Sequence, residues 1–259
     1  MKRLLSTNLS NNNINNLNPN WITGFCDAKR KLTNNNKEIV LWGTNLNSSL
    51  GYGRLTKIVL EMYEIPSYHK SVIIGILLSD GWITYATPYV KSPRIGFNQS
   101  FEKFEYLWKV FIILSPFCNS LPKLIIGKRK ETVTYALQFL TRSLPCLKPL
   151  REMFYNIEGK KIVPDDIYNL LDPISLAYWI MSDGSVSRHG LLICTDSFTI
   201  PDIVKLINVL IIKYQLECKI RYHTPTQPRI YISQKSMDLL IKVITPYIHT
   251  SMKYKLRKF

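Results

Sequence analysis

Acidic side chains are scarce in this chain: 18 Asp and Glu stand against 34 Lys and Arg in 259 residues, a net charge of +16. So lopsided a balance implies a polyanionic partner, nucleic acid or an anionic membrane face, ahead of the plainer reading of a solvated basic surface. Histidine is scarcer still, at 4, and shows no ligand spacing. Cys26, Cys118, Cys146, Cys194 and Cys218 are scattered, odd in number and without a Cys-x-x-Cys pair. That argues against structural zinc and a disulfide framework, and suits small core thiols in a reducing compartment. Long apolar runs are missing too. Residues 72–78 fall far short of a membrane span, and no amphipathic basic helix stands out, so no membrane partner is expected.

What is present is a chain with 46% apolar residues, long enough for one large domain or two fused halves. Its first residues, Met-Lys-Arg-Leu-Leu-Ser, are faintly presequence-like, but an asparagine tract follows at once and cannot build a core. Heavy use of Asn, Lys, Ile and Tyr suits translation from an AT-rich genome such as an organelle's, where no presequence is needed. Residues 1–66 are expected to form an Asn-rich, partly ordered arm and linker. Within them, residues 21–27 are a short apolar piece ending in an acid.

An acidic turn then occurs twice, as Ser79-Asp80-Gly81 and Ser182-Asp183-Gly184, each closing an apolar stretch that reads as a buried helix. A carboxylate at such a place is costly unless it pairs, stays wet or binds metal. One copy alone suits an ordinary Asp-Gly turn. Two copies in a basic chain suggest two acids meeting at a pseudo-twofold axis.

The elements around the turns repeat. A helix over 71–80 precedes strands at 83–87 and 94–98, a helix over 101–114 capped by Ser100, strands at 124–126 and 132–139, and a helix from 143 to 155. The second round runs from a helix opened by Pro173 through strands near 186 and 191–195. It continues with a helix to Tyr214, strands at 217–222 and 229–233, and a helix from Ser236 to Tyr247. Asn98-Gln99-Ser100-Phe101 answers Thr195-Asp196-Ser197-Phe198. The expected fold class is α+β, two pseudo-symmetric αββαββα halves at 67–158 and 159–259.

On these motifs, and on Lys160-Lys161-Ile162-Val163-Pro164 and Tyr254-Lys255-Leu256, the chain resembles the LAGLIDADG homing endonucleases. The likeness is to the single-chain, two-motif type encoded by mitochondrial group I introns. The resemblance implies that the motif helices pack together on the axis, with Gly75, Ser79, Ala177 and Ser182 at the close approach. Tyr178 replaces the usual glycine, so packing there should be looser or offset. It further implies that each half lays a four-stranded antiparallel saddle on DNA.

Asp80 and Asp183 are the expected catalytic pair. They would hold Mg²⁺, with Mn²⁺ as substitute, and the resemblance implies that the backbone carbonyls of Ser79 and Ser182 add ligands. Lys161 and Lys255 are expected beside the metals to stabilise phosphate charge or order water, the alternative being plain phosphate contacts. Gln99 and Asp196, read as equivalent strand ends, would orient water, unless they are only capping groups. The DNA-reading candidates are Thr84, Tyr85, Arg94, Asn98, Lys128, Arg129, Lys130, Arg188, His189, Lys219, Arg221, Tyr222, Arg229 and Tyr231. About half of these are expected to be solvated hairpin residues instead. The chain is thus expected to be a monomeric site-specific double-strand endonuclease of intron homing, encoded in mitochondria and leaving short 3′ overhangs. An intron RNA maturase and a cleavage-inactive DNA binder are the rivals. Residues 21–27 look like a motif remnant without a catalytic role.

Overall fold

The computed structural model of the chain describes residues 46–129 and 132–256. The asparagine tract, the motif-like piece at 21–27, Cys26 and Lys130 lie outside them. After α1 (Lys57–Glu61), the first half runs α2 (Ser67–Leu77), β1 (Trp82–Tyr85), β2 (Pro93–Ser100), α3 (Phe104–Leu114), β3 (Lys123–Arg129), β4 (Thr132–Leu140) and α4 (Lys148–Phe154). A single turn, α5 (Ile167–Leu170), leads to the second half. That half runs α6 (Pro173–Asp183), β5 (Gly184–Ser187), β6 (Gly190–Cys194), α7 (Ile200–Tyr214), β7 (Cys218–Thr224), β8 (Gln227–Ser233) and α8 (Met237–Ile244). Each half forms one antiparallel four-stranded sheet, ordered β1-β2-β4-β3 and β5-β6-β8-β7.

Alternation along the strands gives each sheet two faces. Ile83, Ile95, Phe97 and Phe139 turn into the core of the first half, and Ile193, Ile230 and Ile232 into that of the second. The helices cover these faces, and α3 supplies Tyr106, Leu107, Val110, Phe111 and Leu114, all fully buried.

The two halves join through α2 and α6, which are buried almost throughout. Pro66 precedes α2 in an extended conformation, and Pro173 opens α6 where its missing N–H costs nothing. The Asp172 side chain accepts from Ser175 N and also from the Ser71 hydroxyl of α2, so one carboxylate caps one helix and ties it to the other. A Cβ on Gly75 would lie 2.5 Å from the Ser175 carbonyl oxygen and 2.6 Å from Tyr178 Cβ. The two equivalent motif positions therefore meet, and the glycine of one helix makes room for the tyrosine of the other. Of the two expectations, looser or offset packing, the looser one fails: the contact is close but asymmetric, and Tyr178 turns its buried ring beside Tyr106.

The motif glycines have a steric reason as well. A Cβ on Gly81 would stand 2.7 Å from the Ile76 carbonyl oxygen, and one on Gly184 2.5 Å from that of Ile180. The chain turns back across its own helix end at both places.

Several boundaries depart from expectation. α2 ends at Leu77, with a turn carrying Ser79 and Asp80, whereas α6 continues through Asp183. Ser100 makes no side-chain cap, and the 3-10 turn Phe101–Lys103 enters α3 instead. Ser236 lies in the 3-10 turn Gln234–Ser236, and its hydroxyl accepts from Glu217 N rather than capping α8. Residues 46–66 are not a free linker. Ser49 donates to the Cys118 carbonyl at 2.6 Å, and Arg142 donates to the carbonyls of Ser49, Tyr52 and Gly53, binding this segment to the first half.

Candidate functional site

The ends of α2 and α6 bring Asp80 and Asp183 together. Asp80 is exposed and Asp183 half-buried. Burial first, then the negative charge of Asp80, pushes the Asp183 carboxyl up to about 7, against the opposing pull of Lys255, Lys161 and Lys103. Two acids this close, one of them open to solvent, form a site that attracts cations.

Each helix end carries a lysine on its free carbonyls. Lys161 Nζ donates to the carbonyls of Ser79 (2.9 Å) and Gly81 (2.7 Å). Lys255 Nζ donates to those of Met181 (2.6 Å) and Ser182 (3.0 Å). A cation at a helix C-terminus meets both orphan acceptors and the negative end of the helix dipole. Burial lowers both ammonium groups to about 8, though the two aspartates pull the other way; Lys103 adds to the lowering at Lys255.

Local structure explains how each lysine arrives. After α4 the chain makes a tight hairpin: Asn156 N donates to Lys160 O, Gly159 N to Asn156 O, and Gly159 takes φ +78°. A bridge between Tyr155 and Lys161 closes it, and Tyr155 in turn accepts from Ile83 N beside the Asp80 turn. Lys160, the preceding lysine, is exposed while its backbone N–H donates to Asn156. The expected boundary at 158/159 falls inside this hairpin, and Lys161 serves the first motif helix rather than the second. Lys255 comes from the 3-10 turn Thr250–Leu256, anchored by buried Met252.

Gln99 donates from Nε2 to Asp80 Oδ2 at 2.5 Å and is itself buried. Asp196 is not its counterpart. Phe97 pairs with Phe139 as Ile193 pairs with Ile230, so the strand register matches Gln99 to Thr195. Thr195 is buried with its hydroxyl on the Pro228 carbonyl at 2.7 Å, while Asp196 lies beyond the strand against Arg229 at 3.5 Å. The similar residues around Phe101 and Phe198 hide this one-residue offset. Lys103 was missed altogether. It stands four residues after Gln99 in a 3-10 turn, and its charge reaches both Asp183 and Lys255.

The sheet faces away from the helices sort the remaining candidates. Thr84, Arg94 and Asn98 lie on that face of the first sheet, and the backbone of Arg129 pairs on the same side. Lys219, Arg221, Arg229 and Tyr231 lie on it in the second, with Arg188 and His189 at the β5–β6 turn. Tyr85, Lys128 and Tyr222 fall on the opposite, helix-side face by register, opposite Pro93, Val133 and Pro228. They are exposed because the hairpins extend past the helices that cover the core.

Among the described residues no cluster of three or more His, Cys, Asp or Glu surrounds a single point. The donors at the centre are instead two carboxylates and helix-end carbonyls, all hard oxygen. The carbonyls of Ser79 and Ser182 already accept from lysine, each with one lone pair left. No helix among the described residues is long and apolar enough to cross a membrane.

Residues 70–240 match the LAGLIDADG DNA endonuclease family. The chain is 33% identical over 201 residues to the cytochrome b mRNA maturase bI2 of Saccharomyces cerevisiae, covering 73% of this chain and 47% of the maturase. It thus spans about half the length of that relative. It is 35% identical to the intron-encoded endonuclease ai4 of Dictyostelium discoideum, over 53% of this chain and 90% of the relative. Among solved structures, the homing endonuclease I-WcaI bound to its DNA recognition sequence superposes with a TM-score of 0.73 at 25% identity. The match covers 85% of this chain and all of that one.

Proposed function

The chain belongs to the LAGLIDADG DNA endonuclease family, and from that premise we propose that it is a site-specific, metal-dependent double-strand DNA endonuclease of intron homing. The observation that carries this is the paired helix ends: two acids from the two motifs adjoin, with a lysine on the carbonyls of each. The all-oxygen donor set of Asp80 and Asp183 suits Mg²⁺, or Mn²⁺, with water and phosphate completing the shell; the Ser79 and Ser182 carbonyls keep one lone pair each for it. Bound there, the cation would acidify water and neutralise charge on the scissile phosphate.

The protein's own groups supply the rest. Asp80 and Asp183 would hold the cations, one acid from each half, so that both strands come within reach. Gln99 fixes the Asp80 carboxylate through its amide. Lys161, Lys255 and Lys103 place three positive charges around two negative ones, which favours an incoming phosphodiester and the charge that develops on it. The solvent-facing sides of the two sheets would bind the duplex, through the polar and basic residues that the register puts there. A fused pair of halves needs no second copy, so the working species would be a monomer. The product would carry short 3′ overhangs, and the gene would reside in a mitochondrial group I intron.

The test is cleavage of the intron-insertion sequence, or of a randomised duplex library, by the full chain in Mg²⁺ and then in Ca²⁺. Specific cuts in Mg²⁺ that vanish in Asp80→Asn and Asp183→Asn support the reading. Binding without cleavage in any divalent metal refutes it. The yeast relative's name favours a second reading, assistance to intron RNA splicing. A splicing assay with the double Asn variant separates the two, because RNA folding does not need the acids.

A further inference from the structure

The two sheets present different chemistry on their solvent faces. In the first, Asn98 and Gln138 are direct partners across β2 and β4. Ile125 and Ala136 are partners beside them, followed by Thr134 opposite Gly127. Its cations flank this amide and aliphatic row: Arg94 on β2, Lys123 opposite Gln138 and, by backbone register, Arg129 at the far end of β3. In the second sheet the same face carries Lys219, Arg221 and Arg229.

Those three are not alike. Arg229 is engaged by Asp196. The Arg221 guanidinium lies 3.8 Å over the Tyr231 ring, with Lys219 Nζ at 5.6 Å. Tyr231 is only 6% exposed, and its hydroxyl donates to the His189 carbonyl. It is therefore a platform that holds Arg221 rather than a group that touches a base. An arginine stacked in this way keeps its donor fork free and loses less freedom when it binds.

Base edges in the major groove distinguish these chemistries. An Asn or Gln amide matches the N6 and N7 of adenine, aliphatic and threonine methyls meet the thymine methyl, and arginine matches the N7 and O6 of guanine. We infer that the target duplex is compositionally lopsided: the half-site on the first sheet is read through adenine and thymine, and the half-site on the second carries a guanine recognised by Arg221. This rests on the endonuclease reading above and names the substrate it would select.

Binding-site selection in Ca²⁺ from a pool of randomised duplexes tests the inference with the full chain. The recovered sites are expected to have one A·T-rich half and one half with a fixed guanine. Arg221→Lys keeps the charge at an exposed position and leaves the fold unchanged, yet removes the fork. It should lower the preference for that guanine about tenfold or more while non-specific affinity holds. Asn98→Ala should relax a position in the other half. Specific sites with equal composition in both halves overturn the inference alone, as does relaxation of the same half by both variants. Recovery of no preferred sequence overturns the endonuclease reading and this inference with it.

Discussion

Replacing Lys161 and Lys255 by methionine separates what the lysines do for the fold from what they do for the reaction. Each ammonium group makes two hydrogen bonds to helix-end carbonyls, so the simplest reading makes them structural. The pKa values oppose that reading. Displacement from 10.5 to about 8 means that folding disfavours each charged form by about 3 kcal/mol at neutral pH. Against this, a carbonyl left without a partner costs about 1–3 kcal/mol, less where water reaches it. With two carbonyls freed per lysine the effects largely cancel, so each Lys→Met change should cost no more than about 3 kcal/mol. Cleavage, in contrast, should fall about a hundredfold or more if the lysines act on the phosphate.

The pH dependence has a definite sign. The unfolded chain keeps these protons up to about 10.5 and the folded chain releases them near 8. Raising the pH through that window therefore favours the folded state through these two groups. Denaturant unfolding of the wild type and the double Met variant, compared between pH 7 and 10, isolates the contribution. The wild type should gain on the variant as pH rises. A loss of about 4 kcal/mol or more per lysine at pH 7, beyond what two orphaned carbonyls cost once the relieved burial of the charge is subtracted, would refute the reasoning and make the lysines structural.

Asp183 gives the opposite slope. Its carboxyl, raised to about 7 by burial and by Asp80, binds a proton in the folded metal-free chain that the unfolded chain has already lost near pH 4. That group's stabilisation is complete below about pH 4 and is lost as pH rises through about 7. In EDTA, Asp183→Asn should be about 1–2 kcal/mol more stable than wild type above pH 7, lose that advantage in acid, and cut no DNA. Gly75→Ala forces a Cβ against the Ser175 carbonyl and Tyr178 Cβ; a lower melting temperature from about 1–3 kcal/mol of overpacking is expected, and an unchanged one would deny the close contact. Gln99→Ala removes the amide that holds Asp80, so plasmid assays should show nicked circles accumulating before linear product. Thr195→Ala, which frees only the Pro228 carbonyl, should leave the cleavage course as it was. Arg142→Ala releases three carbonyls of residues 49–53 and should open that segment to protease while cleavage survives.

Much of the architecture was legible because it rests on residues that tolerate little exchange. Apolar helices ending in Asp-Gly marked both motif helices, and the glycines are required because a Cβ would strike the carbonyl of Ile76 or Ile180. What stayed hidden depended on register and on turns. The Phe101 and Phe198 segments look alike, yet the chain enters α3 directly through Phe101–Lys103 and reaches α7 by a longer turn capped by Thr199. The match was therefore set one residue off, and Asp196 took the place of Thr195. The same 3-10 turn brings Lys103 toward the acids, which strand or helix periodicity does not reveal. Polar or aromatic character alone also misled: Tyr85, Lys128 and Tyr222 fall on the helix side by register and are open because their hairpins overhang the helices.

These departures share a cause. A dimer of identical chains must use the same residue at both symmetry-related positions, so a contact on its axis has to suit itself. Joining the halves in one chain removes that constraint. Gly75 then meets Tyr178, where any side chain at position 75 would strike the tyrosine's Cβ. Gln99 holds Asp80, while its register mate Thr195 serves the backbone of its own half. Neutral amides face out from one sheet and a stacked arginine from the other. The backbone repeats because core packing in each half demands the same elements; the side chains at the axis and on the sheet faces diverge because nothing in the fold requires them to match. On the proposed endonuclease reading, an asymmetric duplex would be the substrate that such a chain is free to specialise on.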